Sequence, residues 1–165
     1  MTVLAELELG NGSTIGLRRA AVQDVSSIVR LLADDELGAA RDGADDDEAL
    51  QLYLRAFKAI DSDPAHLLVV AIAANTVVGT MQLCCFLPGL SRRGALREQI
   101  EAVRVAANHR AAGLGTAMIT WAIEEARRRE CALVQLTTDK SRKNAHRFYY
   151  KLGFVASHEG LKLTL

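Results

Sequence analysis

Hydrophobic positions along the chain switch between two periods, and the switches mark out the elements. Residues 22–32 place Val22, Val25, Ile28, Leu31 and Leu32 at the spacing of one helical face and leave Ser26, Ser27 and Arg30 for water. A second helix is predicted over 48–60, with Leu50, Leu54, Phe57 and Ile60 inward, ending before the turn-forming run Asp61-Ser62-Asp63-Pro64. Residues 67–73 and 77–86 are dense in Val, Ile and Leu and flank a turn at Asn75, so they read as a hairpin of well-buried strands. A first strand is expected over 15–18, a loop over 87–97 and a fourth strand over 100–105.

Beyond a glycine-containing turn, Leu114, Ala117, Met118, Trp121 and Ala122 define one face of a long helix. Its polar face sets Glu124 and Glu125 four residues before Arg128 and Arg129, and the arginines complement the negative helix end. A strand over 132–137, a helix over 144–151 and a short terminal strand pair within 154–165 complete the order. A strand, helix, strand unit late in a mostly hairpin-built sheet predicts an α+β fold whose mixed sheet is mostly antiparallel with one right-handed parallel crossover.

Composition narrows the picture. Half of the 165 residues are hydrophobic, enough for one good core, and no repeat or linker divides them, so a single domain over 1–165 is expected. Twenty basic residues balance twenty acidic ones, which gives no global field for nucleic acid or an anionic membrane. The longest apolar run, 67–74, is far shorter than a bilayer span, and the N-terminus lacks the basic start and apolar run of a signal peptide, so a cytoplasmic protein is expected. Cys84 and Cys85 are adjacent and Cys131 is distant, a spacing that suits buried thiols rather than disulfides or zinc. The four histidines show no helical metal pairing, and no Gly-x-Ser-x-Gly elbow is present, so no metal is expected.

Chemistry concentrates in residues 103–116, VRVAANHRAAGLGT. A strand ends, the chain turns through Gly113 and Gly115, and a helix starts at once. Glycines allow close backbone approach, and the free N–H groups of a first helical turn favour an anion such as a pyrophosphate. The run lacks the third glycine of a dinucleotide-binding fingerprint and the Gly-Lys-Ser/Thr of a P-loop.

Arg110-x-x-Gly113-x-Gly115 resembles the Arg/Gln-x-x-Gly-x-Gly/Ala signature of the GNAT superfamily of N-acetyltransferases. Residues 145–154, AHRFYYKLGF, resemble that family's Ala-x-x-Phe-Tyr-x-x-x-Gly-Phe segment. The match is close over about the last 65 residues, and the N-terminal part agrees in element order. The resemblance implies a GNAT-like fold with splayed strands and about four flanking helices. It also implies acetyl-CoA as donor, its pyrophosphate held by the backbone of Arg110, Ala111, Ala112, Gly113, Leu114, Gly115 and Thr116. The pantetheine arm would bond to Val103 and Val105 where the strands part.

By the same resemblance, Tyr149 is the candidate acid for the leaving thiolate, with a buried structural tyrosine as the alternative. Glu101 is the candidate base, with a solvated or salt-bridged strand carboxylate equally open. Strand parity puts Glu101 on one side of the sheet with Val103 and Val105. Arg142 stands where relatives commonly carry a cofactor-binding asparagine and is a candidate for a coenzyme phosphate, or simply solvated surface.

The expected reaction moves an acetyl group to a primary amine of a small molecule. A protein or peptide amine, a longer acyl group and a non-catalytic acyl-CoA-binding sensor remain open. Asp34, Asp35, Glu36, Asp42, Asp45, Asp46, Asp47 and Glu48 could draw a cationic acceptor, whereas Arg92 and Arg93 could bind a carboxylate or sit at a homodimer contact.

Overall fold

A computed structural model describes residues 3–34, 36–43, 47–85 and 90–165. The chain runs β1 (Val3–Glu8), β2 (Thr14–Arg19), a 3-10 turn (Val22–Asp24), α1 (Val25–Ala33), α2 (Glu36–Ala39), α3 (Asp47–Ser62), β3 (His66–Ala73) and β4 (Thr76–Cys85). It continues with α4 (Ser91–Gly94), β5 (Arg97–Val105), a 3-10 turn (Ala107–Ala112), α5 (Leu114–Arg128), β6 (Leu133–Leu136) and α6 (Lys143–Lys151). Asp35, Asp45, Asp46 and Phe86 lie outside the described residues, as do the side chains of Glu36, Arg92 and Ala111.

The strands form one six-stranded sheet in sequence order, antiparallel except for β5 beside β6. That is the mixed α+β sheet with one parallel crossover that the hydrophobic pattern predicts. Four helices longer than two turns flank it, and α2 and α4 are single turns. The β3–β4 hairpin closes through Ala74 and Asn75, both at positive φ (44° and 68°), the two-residue geometry whose twist matches paired strands.

One sheet face packs on α5, where Met118, Ile119 and Ala122 meet Val69, Ala71, Met81 and Leu83, all fully buried. The opposite face carries Ala20 and Val70 against Ile28 of α1 and Phe57 of α3. On the polar side of α5, Glu125 bonds both Arg128 and Arg129, so the expected pairing centres on one glutamate.

Five expectations differ from the structure, the first being the loop over 87–97, which carries α4 at Ser91–Gly94 and gives way to β5 already at Arg97. β1 was not anticipated. Residues 22–24 wind with three residues per turn rather than 3.6, which swings Val22 out to 58% exposure while Val25, Ile28 and Leu31 stay buried. The second helix continues to Ser62. Residues 154–165 form no strand pair, and Leu161, Leu163 and Leu165 are exposed.

An ion pair ties β2 to the start of α1. Arg18 donates through Nη1 and Nη2 to Oδ2 and Oδ1 of Asp24, at 2.7 and 2.8 Å, and the Ala21 amide donates to Oδ2 at 2.7 Å. Burial pushes the Asp24 carboxyl up, but the Arg18 fork and the Ala21 N–H outweigh it and hold the group below its usual range. Its ionisation therefore stabilises the fold fully above the unfolded value of about 3.9, and the contribution is lost as pH falls through the lower folded value. We expect Asp24→Ala to cost about 1–3 kcal/mol, since it takes their carboxylate acceptor from the part-buried Arg18 guanidinium and the Ala21 amide. The variant should also lose part of the acid-side slope of stability against pH, measurable by urea unfolding between pH 3 and 7.

Candidate active site

The site is organised by an irregularity in β5. β4 and β5 pair Gln82 with Glu101 and Thr80 with Arg104, so two steps on β4 face three on β5. The extra residue is Ala102, at φ 53°, a β-bulge. Ile100 and Val103, three apart, consequently both join the core under α5. Glu101 points to the other face, beside Gln99, whose Nε2 donates to its carboxylate at 2.9 Å. The expected parity is thereby corrected: Glu101 and Arg104 share one face, whereas Val103 and Val105 share the opposite one.

The pairing of β5 with β6 ends at Ile100 and Leu136, one residue before the bulge's neighbourhood begins. From 101 to 105 the β6 side of β5 is open, which is the predicted splay. A cleft of about 2010 Å³ runs along it and is walled by Glu101, Val103, Arg104, Arg142 and Tyr149. The carbonyl of Val105 accepts Arg110 Nε at 3.0 Å, and that of Val103 accepts Arg104 Nη1 at 2.9 Å. A carbonyl has two lone pairs, so each retains acceptor capacity towards a pantetheine amide.

Arg110, Ala111 and Ala112 lie in the 3-10 turn, and Gly113, at φ 85°, is the left-handed hinge from which α5 starts. A left-handed position suits glycine because a Cβ there costs roughly 1–2 kcal/mol. A Cβ built on Gly113 meets no heavy atom within 4 Å, so the bare backbone faces open space. Ala117 is the first residue of α5 to bond back, to the Gly113 carbonyl at 3.0 Å. The amides of Leu114, Gly115 and Thr116 therefore precede the helical ladder, which is the donor set an anion requires.

Gly115 does a different job. A Cβ on it would lie 3.5 Å from the Phe148 ring and 3.8 Å from Val105, so its smallness seats the helix start against β5 and α6. Gly113 and Thr116 also line a separate cavity of about 550 Å³ against β1, so the predicted residues do not all face one space.

α6 carries Tyr149 with its ring held edge-on between Phe148 and Phe154, centroids 5.1 and 5.7 Å away. Burial pushes the phenol above its ordinary value, and Arg142 and Arg104 only partly oppose that shift. The hydroxyl is therefore a proton donor at neutral pH. Arg142 stands at the start of α6 on the cleft wall, close enough to act on that phenol.

Burial also pushes the Cys84 and Cys131 thiols up, with Glu101 and Glu98 adding to it, so both are poor nucleophiles. Among the described residues no group of three or more His, Cys, Asp or Glu side chains could hold a metal, and no helix is long and apolar enough to cross a membrane. The acidic segment is partly spent within the fold: Asp34 pairs with Arg110 at 2.7 Å and Asp42 with Arg41 at 3.0 Å. Sequence reasoning missed Arg104, whose place on the cleft wall depends on the bulge.

Solved structures share this architecture. A Bacillus halodurans C-125 protein described as a transcriptional regulator is 42% identical, with a TM-score of 0.86 over 92% of this chain and 99% of that one. A Clostridium acetobutylicum protein, described as a predicted acetyltransferase with acetyl-CoA, superposes with a TM-score of 0.71 over 91% of this chain and 96% of that one; at 20% identity the likeness concerns the fold alone. The aminoalkylphosphonate N-acetyltransferase of Salmonella typhimurium is 42% identical over 45 residues, which span 27% of this chain and 29% of that protein. The acetyltransferase (GNAT) family matches residues 27–154, nearly the whole stretch from α1 to the end of the Phe148–Phe154 segment. With that match laid over the bulged β5, the left-handed glycine hinge and the tyrosine of α6, the chain belongs to the GNAT family of acetyltransferases and is an acyltransferase.

Proposed function

We propose that the protein moves the acetyl group of acetyl-CoA to the primary amine of a small molecule by direct attack. The observation that carries this reading is the open side of β5 beyond Ile100, which has Tyr149 and Glu101 on the walls of its cleft and the start of α5 beside its end. The residues fit the donor. Bare backbone at Gly113 and the first amides of α5 suit its pyrophosphate, and Val103 and Val105 present backbone groups along the splay.

In this mechanism the neutral amine attacks the thioester carbon, a C–N bond forms, and the C–S bond breaks. The amine's proton leaves through Glu101 or a water it orients, and the phenol of Tyr149 gives its proton to the departing thiolate. The Val105 amide is the proposed donor to the developing oxyanion. The phenol's raised pKa keeps it protonated at neutral pH, so that a proton is in place when the thiolate departs.

Likeness over 45 residues to an aminoalkylphosphonate N-acetyltransferase supports a small amine over a protein one. The test is an acceptor panel of small amines and amine-bearing peptides, with acetyl-CoA as donor, following release of free thiol. Turnover on small amines at kcat/KM at least about tenfold above that on peptides is expected. Turnover on peptides alone would reassign the acceptor, and acetyl-CoA binding without turnover on any amine would leave a sensor module.

A further inference from the structure

We infer that Gln99 and Gln135 are positioning residues for the Glu101 carboxylate, holding one of its oxygens so that the other meets the acceptor amine or its water. This rests on the reading of Glu101 as the base given above and names the residues that place it.

Glu101 is poorly fixed by its own surroundings. Its side chain is exposed, and the bulge at Ala102 interrupts the ladder immediately after it. A long side chain in that setting spreads over several rotamers, and a catalytic group misplaced by about 1 Å can cost up to about 100-fold in rate.

Two hydrogen bonds restrict it. Gln135 Nε2 donates to Gln99 Oε1 at 2.8 Å, and Gln99 Nε2 donates to Glu101 Oε1 at 2.9 Å. The first bond sets the sense of the second, because an amide whose oxygen accepts from Gln135 must turn its nitrogen to the carboxylate. Neither amide titrates, so the pair orients the carboxylate and carries no proton. Among the described residues Glu101 Oε2 has no hydrogen bond, which leaves that oxygen for the acceptor side.

Register explains why these two amides meet. Gln99 and Gln135 are partners in the parallel pair β5 and β6, whose pairing ends one residue later at Ile100 and Leu136. Their side chains thus bridge the strands just before the splay, on the wall of the same cleft, and both strands help to place the base. Gln82 stands directly opposite Glu101 on β4 but is turned away, its Nε2 lying 3.3 Å from His66 Nδ1 and 3.6 Å from Cys84 Sγ.

Steady-state kinetics on the best small amine of the acceptor panel, at saturating acetyl-CoA, test the inference. Gln99→Leu should lower kcat by about 5- to 30-fold while acceptor KM and acetyl-CoA affinity each stay within about threefold. Gln99→Glu keeps nearly the same shape but offers an oxygen in place of the N–H, so it should lose at least as much, which packing alone does not predict. Gln135→Leu frees the Gln99 amide to turn over and should cost about 2- to 5-fold, reaching the same bond from the other strand. Should Gln99→Leu fail to fold, Gln99→Glu and Gln135→Leu carry the same test. Glu101→Gln should lower kcat by about 10²- to 10⁴-fold. Adding Gln99→Leu to Glu101→Gln should then cost less than about threefold more, because the group being positioned is already gone.

Full kcat in both Gln99 variants, beside a large loss in Glu101→Gln, would overturn the inference and leave Glu101 standing as the base. Additive losses in the double variant would also overturn it and place Gln99 on the acceptor itself. If Glu101→Gln kept full kcat where chemistry limits turnover, the base reading would fail and the positioning role with it.

Discussion

Replacing Tyr149 by phenylalanine is expected to lower kcat by about 10²- to 10⁴-fold, the usual worth of a positioned acid. The change removes one hydroxyl and leaves the ring seated between Phe148 and Phe154, so packing should survive. Thermal unfolding should move by no more than a few degrees, and acetyl-CoA affinity by less than about tenfold. The pH profile supplies a sharper reading. Burial raises the phenol above its ordinary range, so a basic limb owed to Tyr149 lies above that of a free tyrosine, and it should vanish in Tyr149→Phe. If kcat were intact where chemistry limits turnover, the thiolate would be taking its proton from water and Tyr149 would be a packing residue.

Gly113→Val is expected to weaken acetyl-CoA binding by about 10- to 100-fold, roughly 1.4–2.7 kcal/mol. Two effects combine. A β-branched residue at φ 85° strains the hinge by about 1–3 kcal/mol, and its side chain projects into the open space where the backbone would meet the pyrophosphate. Because a Cβ there touches nothing in the fold, the free protein should lose only about 2–10 °C in Tm from backbone strain. Gly113→Ala carries part of the strain and less of the obstruction, so its affinity should fall between. Calorimetry showing full affinity in a folded valine variant would remove the pyrophosphate from this helix start.

Much of this was legible in the sequence where local signals reinforce one another. Strand 100–105, the glycine hinge, α5 and α6 follow in order, and each is set by short-range pattern: Gly113 and Gly115 at a strand-to-helix junction, five apolar residues on one face of α5. β1 was legible too and is missing from the expectation. Leu7 and Leu9 alternate with Glu6 and Glu8, and Asn11-Gly12 follows, the usual signal of a tight hairpin, with Gly12 at φ 81°.

Other features had no local signal. Alanine has no preference for positive φ, so nothing at Ala102 announces a bulge, and a parity count through it assigns Glu101 to the wrong face. Arg104 was hidden for the same reason. The leucines at 161, 163 and 165 alternate as a strand does, yet a strand exists only where another offers its edge, and pairing is a property of the whole fold. The charge run between α1 and α3 looked like one acidic patch because its partners, Arg110 and Arg41, are fixed only by the tertiary structure.

The single extra residue in β5 also bears on how such a protein can change. Substitution alters one side chain at a time, whereas deleting Ala102 would return β5 to even alternation, keeping Glu101 and Arg104 on one face and Val103 and Val105 on the other while removing the local bend that the bulge imposes. Sequence comparisons that close such a gap for the sake of a higher score would align residues that never occupy the same side of the sheet.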